Sequence, residues 1–279
     1  MGRFSDYLLI SDFDLTLTGH DDCVPQANVD ALKEWIAEGG AFSVATGRSL
    51  MMAWRRVRDL PRNAPLITFN GAFCSEPTTG ETVFSFPMPE SYKALLAPIL
   101  AERPDLSVEL QGLEGHYVYH IDENRAQYLD SHGVTTFRCP LEEVKSEILK
   151  FSIYAPGDLL FGADYESETA RYFRALSQSF NAQGAGWFEA VNSRPNMVEV
   201  QSARCSKGKT ARALADRLGR KYLVAVGDSE NDLSMIEAAD FGFTPSDGDP
   251  SFAARGIAQA APCGEGTVAD VIARMREMV

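Results

Sequence analysis

Two aspartates, Asp12 and Asp14, follow directly after the short apolar run at residues 7–11, whose sequence is YLLIS. Such a run is typical of a buried strand, and side chains two positions apart on an extended backbone point to the same side. Two carboxylates close together in a cleft need a cation, or one of them must hold a proton. Both arrangements are useful to an enzyme. A structural interpretation stays open, in which one aspartate ends the strand and the other caps the next helix.

Two further polar stretches also have a functional and a structural interpretation. Thr46, Gly47 and Arg48 follow a predicted strand and offer a hydroxyl, a glycine N–H and a helix N-terminus. Together these groups form an anion site or, alternatively, a helix cap with a turn glycine. Lys207 lies at the start of a predicted helix, where the helix dipole disfavours a cation. Its position indicates an anionic partner, unless the side chain is simply solvated.

The strongest cluster after the first is the segment 227–232, with the sequence GDSEND, directly after an apolar run. One of its side chains could cap the following helix, but three acids and an amide exceed what a cap requires. Oxygen ligands without histidine or cysteine are the donors that Mg²⁺ prefers, together with water and substrate phosphate. The segment therefore indicates a magnesium site.

The elements that carry these residues alternate between strands and helices in the first and last parts of the chain. Strands are expected at residues 7–11, 41–45, 66–69, 222–226, 241–243 and 257–260. Helices are expected at 25–38, after Arg48 through Val57, and at 207–218, 232–239 and 268–278. This alternation predicts a doubly wound parallel α/β sheet with right-handed crossovers. Because ligands of such sheets bind beyond the carboxyl ends of the strands, the polar clusters are expected to converge there.

Residues 84–198 do not follow the simple alternation and are predicted to form an inserted α+β cap domain. The segment 78–90 is rich in turn residues, among them Gly80 and Pro87. Helices are expected at 91–101, 124–131 and 165–180, and strands at 106–110, 117–121, 148–154, 187–191 and 197–200. The main domain is therefore expected to consist of residues 1–83 and 199–279.

The composition excludes several classes of protein. The 279 residues are 45% hydrophobic and 23% charged, as in an ordinary globular chain. The formal net charge of −13 argues against nucleic acid and anionic membranes as partners, but local cations could still bind an anionic small substrate. No apolar run reaches the roughly 18 residues that span a bilayer. Residues 1–6 lack the apolar core of a secretory signal, so we expect a cytoplasmic protein.

The spacing of the cysteines and histidines gives no sign of a metal site or a disulfide framework. The five cysteines are Cys23, Cys74, Cys139, Cys205 and Cys263, and the four histidines are His20, His116, His120 and His132. No two cysteines form a C-x-x-C pair, and the histidines share no ligand spacing with each other or with a cysteine. We therefore expect reduced thiols, histidines with structural or surface positions, and no zinc site.

Taken together, the four polar stretches resemble the motifs of the haloacid dehalogenase superfamily of phosphohydrolases. Residues 12–16 (DFDLT) match its DxDxT motif, and Thr46 matches its second motif. Lys207 matches the third motif, and residues 227–232 match the GDxxND form of the fourth. The insertion between the second and third motifs resembles the large α/β cap of the Cof-type branch, subfamily IIB. That branch also includes sucrose-phosphate phosphatases and the phosphomannomutase of eukaryotes.

The resemblance implies a role for each matching residue. Asp12 would be the nucleophile that forms an aspartyl-phosphate, and Asp14 would protonate the leaving oxygen and then activate water. Mg²⁺ would be held by Asp12, the backbone carbonyl of Asp14 and the Asp228 carboxylate. Asp232 would support the metal or Lys207. The groups that would bind the phosphoryl oxygens or the substrate belong to Thr46, Gly47, Arg48, Lys207 and Asn231.

Two stretches depart from the family pattern, and the cap contributes one further candidate. The family often has glycine before the threonine of the first motif, where this chain has Leu15, and little consequence is expected. Residues 242–248 lack the apolar-glycine-asparagine pattern of the Cof branch. In the cap, Arg194 is a candidate substrate contact within 192–196, a predicted loop between two strands that could equally be a solvated turn. Other polar candidates there are Arg138, Lys150, Asn192 and Asn196.

The function implied is a Mg²⁺-dependent phosphatase, a monomer or homodimer, that acts on a small phosphorylated metabolite such as a sugar phosphate. A phosphosugar mutase is an alternative, since it shares the aspartyl-phosphate but returns the phosphoryl group to the sugar. A non-catalytic sensor of phosphometabolites or metal is another, although such modules are shorter and need no cap. A P-loop nucleotidase is excluded, because the first glycine of its motif would fall on Ala203.

Overall fold

The structure of the protein, a computed structural model, describes residues 2–155 and 167–279 and contains two compact units. The core unit consists of residues 2–47, Arg56–Ser85 and Ser206–Val279. The inserted unit consists of Arg48–Arg55 and the described part of Phe86–Cys205. The predicted boundary between 83 and 84 lies two residues from the observed one. The predicted boundary between 198 and 199 falls inside a strand that runs to Ser202.

The strands and helices are numbered in chain order. The strands are β1 (Tyr7–Ser11), β2 (Ala41–Val44), β3 (Leu66–Thr68), β4 (Phe73–Glu76), β5 (Glu81–Ser85), β6 (Ser107–Gln111), β7 (His116–Tyr119), β8 (Thr136–Phe137), β9 (Lys150–Tyr154), β10 (Phe188–Arg194), β11 (Met197–Ser202), β12 (Tyr222–Val226), β13 (Phe241–Pro245) and β14 (Ala258–Ala260). The α-helices are α1 (Gln26–Ala37), α2 (Leu50–Val57), α3 (Tyr92–Glu102), α4 (Glu123–Ser131), α5 (Glu168–Gln183), α6 (Lys207–Arg217), α7 (Glu230–Ala238), α8 (Pro250–Ala254) and α9 (Thr267–Met278). The start of the predicted helix at 165–180 lies outside the described residues.

A parallel sheet in the order β14-β13-β12-β1-β2 forms the centre of the core unit. Every residue of β1 is buried, as expected for a central parallel strand whose sequence is almost wholly apolar. Leu8 and Ile10 share one side of the strand and belong to a buried cluster with Ala211 and Leu214 of α6. Because β1 is central, its carboxyl end lies between the ends of β2 and β12, where the sequence places its polar clusters.

The third predicted strand is parallel to β2 at one bridge only, and its ladder pairing is antiparallel. β3 runs antiparallel to β4, which in turn pairs with β5, and a single parallel bridge between Ala45 and Ile67 connects this small sheet to the end of β2. Sequence alone did not predict β5, because all five of its residues were assigned to a turn-rich segment. Its side chains are exposed or half-buried, so the strand carries little of the apolar signal that marks a core strand.

The inserted unit contains a mixed sheet in the order β10-β11-β9-β6-β7-β8, in which all pairs are antiparallel except β7 with β8. Leu110, Phe151 and Val200 lie in register across β6, β9 and β11 and belong to a core that also includes Phe173 and Phe180 of α5. The predicted fold class, a doubly wound parallel α/β sheet with an inserted α+β domain, is confirmed. Among the described residues, no helix is both long and apolar enough to cross a membrane.

The opposite side of the inserted sheet is polar although it is buried. Glu109 on β6 accepts a hydrogen bond from Nε of Arg125, and its carboxylate lies 3.1 Å from Nδ1 of His116. Lys150, a candidate for substrate contact, is buried in an ion pair with Glu199 of β11. Burial alone would raise the pKa of Glu109, but the charge and hydrogen bonds of Arg125 and His116 lower it to about 2.

We predict that Glu109→Gln lowers the free energy of unfolding by about 3–5 kcal/mol at neutral pH, because Arg125 is then left buried without its partner. The folded-state pKa of Glu109 lies below the ordinary value of 4.5, so its stabilisation is complete above that pH and is lost as the pH falls towards about 2. Urea unfolding at a series of pH values measures both effects.

The matched control is Glu102→Gln, which removes the charge of an exposed glutamate at the end of α3 and should change stability by less than about 0.5 kcal/mol. The two Glu→Gln variants should converge in stability at low pH. A constant gap between them down to the acid limit would contradict the role assigned to Glu109.

Candidate active site

Asp12 lies immediately after β1 and is held by the sheet itself. Its backbone N–H donates to the carbonyl of Val226 at the end of β12 (2.9 Å), so the ladder between the two strands continues up to the aspartate. Its carbonyl accepts the hydroxyl hydrogen of Ser11 (2.6 Å). The residue is only 5% exposed. The sheet therefore fixes the position of this carboxylate before any ligand binds.

Lys207, the first residue of α6, connects two carboxylates from different parts of the chain. Its Nζ donates to Oδ1 of Asp12 (2.5 Å) and to Oδ1 of Asp232 (2.6 Å), and the residue is 1% exposed. Burial alone would lower the pKa of Lys207, but the charges of the two aspartates raise it above its ordinary value. The lysine therefore stays charged. The sequence indicated an anionic partner for Lys207, and two of its partners are carboxylates of the protein itself.

The loop between β12 and α7 is organised by the other oxygen of Asp232. Its Oδ2 accepts the backbone N–H groups of Asp228 and Ser229, each at 3.1 Å. Gly227 makes this possible, since a Cβ at that position would lie 2.3 Å from Cβ of Asp232. Asp228 in turn accepts a hydrogen bond from the hydroxyl of Thr16 (2.9 Å). Both oxygens of Asp232 are thus engaged, which leaves it better placed to support Lys207 than to bind a metal directly.

The cluster carries more negative than positive charge. Burial raises the pKa of Asp12 to about 7, and the charges of Asp232 and Asp14 add to the rise against the opposing charge of Lys207. The pKa of Asp228 is also raised well above its ordinary value, by burial and by the charges of Asp232 and Asp12. Carboxylate oxygens of Asp12, Asp228 and Asp232 lie within 4.8 Å of one another. This all-oxygen donor set, with its surplus of negative charge, fits a hard divalent cation such as Mg²⁺.

The second predicted motif lies beside the first, and the structure adds a residue that the sequence interpretation missed. The backbone N–H of Thr46 donates to the carbonyl of Ile67, and the carbonyl of Thr46 accepts a hydrogen bond from the backbone N–H of Asn70 (3.1 Å). The side chain of Asn70 accepts a hydrogen bond from Nδ2 of Asn231 (3.1 Å) and is buried. Asn70 therefore connects the second and fourth motifs. In the sequence, Asn70 only marks the end of a predicted strand before Gly71, and nothing there indicates its contact with Asn231.

Two predicted substrate contacts belong to the inserted unit. Arg48 lies before α2 and donates to the hydroxyl of Tyr128 at 3.4 Å. Arg194 is the last residue of β10 and pairs with Met197 of β11. Its predicted place in a loop is therefore wrong, because the strand continues beyond residue 191. The roles of both residues in binding stay predictions. Thr46, Gly47, Lys207 and Asn231 all belong to the core unit.

Comparisons with known proteins identify the family to which the chain is similar. A profile of the family described as haloacid dehalogenase-like hydrolase matches residues 9–272. Phosphoglycolate phosphatase of Methanosarcina acetivorans is 41% identical over 153 residues, covering 50% of this chain and 63% of that protein. Phosphatase YwpJ of Bacillus subtilis is 26% identical over 258 residues, covering 84% of this chain and 87% of that protein. The solved structure of the HAD subclass IIB sugar phosphatase BT4131 is 19% identical, with a TM-score of 0.80 over 97% of this chain and 99% of that one.

The chain belongs to the haloacid dehalogenase-like hydrolase family, since the profile spans most of its length. The resemblance inferred from the four motifs is confirmed, and so is the predicted enzyme class, a phosphatase. The likeness to the solved subclass IIB structure confirms the fold.

Leu15, which departs from the family pattern, adopts a backbone conformation that favours glycine, with φ of 57°. We predict that Leu15→Gly is more stable than Leu15→Ala by about 1 kcal/mol, because both lose the side chain but only alanine keeps the strain of a left-handed residue. Thermal or urea unfolding of the two variants measures the difference.

The same pair of substitutions at an ordinary helical position gives the control. Lys33 is an exposed residue within α1, where alanine should be the more stable of the two by about 1 kcal/mol. A preference for alanine at both positions would show that Leu15 is not strained.

Proposed function

We propose that the protein is a Mg²⁺-dependent phosphatase that hydrolyses a small phosphorylated metabolite through an aspartyl-phosphate on Asp12. The observation that carries the proposal is the buried contact of Lys207 with Asp12 and Asp232 at the carboxyl edge of a parallel sheet. A nucleophilic carboxylate must be held in one orientation, and the buried lysine within hydrogen-bond distance orients Asp12. The charge of Lys207 also opposes the rise in the pKa of Asp12 that burial and the neighbouring aspartates cause.

In the first step, an oxygen of Asp12 attacks phosphorus, the bond from phosphorus to the leaving oxygen breaks, and Asp14 donates a proton to that oxygen. Asp14 is half-buried two residues after the nucleophile, close enough for its charge to raise the pKa of Asp12. Thr46, the N–H of Gly47 and Asn231 hold the phosphoryl oxygens, together with Lys207. Because these groups all belong to the core unit, the fold positions them before the substrate arrives.

In the second step, Asp14 takes a proton from water, the water oxygen bonds to phosphorus, and the bond between phosphorus and Asp12 breaks. The carboxylate is restored and inorganic phosphate leaves. Asp14 thus acts first as an acid and then as a base, which requires a carboxyl group that exchanges protons within the cleft.

The metal would be held by Asp12, the backbone carbonyl of Asp14 and the Asp228 carboxylate, and it would neutralise the charge that collects on the phosphoryl oxygens. Thr16 fixes one oxygen of Asp228 and so orients it for this purpose. Asp232 supports Lys207 and the loop that carries Asp228.

The substrate is proposed to be a phosphorylated sugar or a similarly small phosphate ester. A subclass IIB sugar phosphatase has the same fold, and a phosphoglycolate phosphatase is the relative with 41% identity. The inserted unit is proposed to select the substrate, with Arg194 and Arg48 as its candidate contacts. The enzyme is further proposed to be cytoplasmic and to work as a monomer or homodimer, with neither nucleic acid nor a membrane as a partner.

Phosphate release across a panel of sugar phosphates and other small phosphate esters tests the proposal. We predict activity that depends on added Mg²⁺ and falls to background in EDTA. Asp12→Asn should lose roughly a thousandfold or more of kcat, since the nucleophile is gone. Asp6→Asn, an exposed aspartate just before β1, is the matched control and should retain full activity.

Three outcomes would overturn the proposal. Phosphatase activity that survives in Asp12→Asn or in EDTA would contradict a metal-dependent mechanism with Asp12 as the nucleophile. Transfer of phosphate between positions of a sugar, stimulated by a bisphosphate and with little free phosphate, would show a mutase. Binding of phosphate esters without turnover of any of them would show a sensor.

We also predict that Lys207→Met lowers the free energy of unfolding by about 3–5 kcal/mol, because Asp12 and Asp232 are left buried without their cation. Urea unfolding at neutral pH measures the loss. Lys209→Met, two residues further along α6 and exposed, should change it by less than about 0.5 kcal/mol. Equal effects of the two substitutions would contradict a buried ionic cluster centred on Lys207.

A further inference from the structure

Three side chains that could bind a metal ion converge at a second place in the core unit. They are His20, Asp247 and Cys263, and their ligand atoms all lie within 4.8 Å of one another. Nε2 of His20 is 3.3 Å from Oδ2 of Asp247, and Sγ of Cys263 is 3.3 Å from the same oxygen. The group therefore combines nitrogen, oxygen and sulfur donors, unlike the all-oxygen cluster around Asp12.

The three loops that carry these residues follow strands of the core sheet. His20 lies in the turn after β1, Asp247 follows β13, and Cys263 follows β14. The first and third loops touch closely, since a Cβ at Gly19 would lie 3.1 Å from Cα of Gly264. The group therefore depends on parts of the chain that the sheet itself brings together.

The separations agree with those of ligands around a tetrahedral zinc ion. Bonds of about 2.0–2.1 Å to nitrogen, 2.0–2.2 Å to oxygen and 2.3 Å to sulfur place neighbouring ligand atoms about 3.3–3.6 Å apart. The two separations of 3.3 Å from Oδ2 of Asp247 match this range. Oδ1 of Asp247 accepts the backbone N–H of Cys263 (2.9 Å), which orients the carboxylate from behind.

We propose that His20, Asp247 and Cys263 form a binding site for a thiophilic divalent transition metal of the zinc class. The side chain of His20 is 66% exposed and that of Asp247 is 30% exposed, whereas Cys263 is buried, so an ion would enter from the histidine side. A water molecule would complete the tetrahedron. The thiol proton of Cys263 leaves to solvent as the metal binds, and no redox change is involved.

Such an ion would tie together loops that follow β1, β13 and β14, close to the segment that carries Asp228. The backbone of Asp249 donates to the carbonyl of Asp228 (2.8 Å), so the loop containing Asp247 is bonded directly to the fourth motif. The softer metal would therefore stabilise the edge of the sheet on which the proposed active site lies, without sharing a ligand with it.

The sequence argued against a zinc site because no histidine lies at ligand spacing from a cysteine. His20 and Cys263 are far apart along the chain, and only the parallel sheet brings their loops together. The spacing rule detects sites built within one short segment, so it could not detect this one. The prediction of no zinc site is therefore replaced by the present proposal.

Titration of the metal-free protein with Co²⁺, in the presence of excess Mg²⁺, tests the site. Mg²⁺ occupies oxygen ligands and does not compete for a thiolate. The expected result is a thiolate-to-cobalt charge-transfer absorption that saturates at a single equivalent and disappears when Zn²⁺ is added. A hydrogen-bonded cluster that binds no metal would give no such absorption, and this result would overturn the proposal.

Substitutions at Cys263 and His20 test whether the cobalt absorption comes from this site. Cys263→Ser should abolish it, and His20→Ala should weaken Co²⁺ and Zn²⁺ binding by at least roughly tenfold. Cys23→Ser and His132→Ala are the controls and should bind as the unmodified protein does. Because His20 is an exposed loop residue, its replacement leaves the fold intact even if the buried Cys263 variant does not fold.

An absorption that persists in Cys263→Ser, or that is lost equally in Cys23→Ser, would place the metal at another thiol and overturn the assignment. Unchanged Co²⁺ and Zn²⁺ binding in His20→Ala would overturn the assignment of His20 as a ligand. None of these measurements depends on phosphatase activity, so a failure of the proposed function would leave this test unaffected.

Discussion

The arrangement of the core unit depends on one buried ionic contact, in which Lys207 bridges Asp12 and Asp232. Asp12 directly follows β1, Lys207 begins α6, and Asp232 lies in α7, so one ammonium group connects three separate elements of the core unit. A buried charge is stable only when it is paired and hydrogen-bonded. Carboxylates remain in excess, because the charges of Asp14 and Asp228 also act within this cluster. This excess makes the site suited to a divalent cation and, through it, to phosphate chemistry.

Much of the site could be predicted because its residues follow buried strands. Asp12, Thr46 and Asp228 each follow an apolar run, and parallel strands end at the same edge of a sheet. The acids were more numerous than capping requires, so the excess itself indicated chemistry. The motifs then identified the family, and the order of the strands in the structure explains why residues so far apart in sequence belong together.

Other features could not be predicted, for physical reasons that differ. β5 is partly exposed, so it shows little of the apolar pattern that marks a strand. Leu15 holds a left-handed backbone that local sequence does not indicate, because leucine rarely adopts it. Asn70 acts through a hydrogen bond to Asn231, and such long-range contacts leave no spacing to detect. In each case the decisive interaction is tertiary, whereas sequence patterns report local preference and burial.

The central claim is that Asp12 forms a covalent bond to phosphorus, and trapping that bond tests it most directly. Protein turning over a substrate from the panel is quenched in acid and reduced with borohydride, which converts an acyl phosphate to the alcohol, and peptides are then sequenced by mass spectrometry. The account predicts homoserine at position 12, only when substrate and Mg²⁺ are present. Release of phosphate with position 12 unmodified, or with the reduced residue at another position, would contradict a covalent intermediate on Asp12.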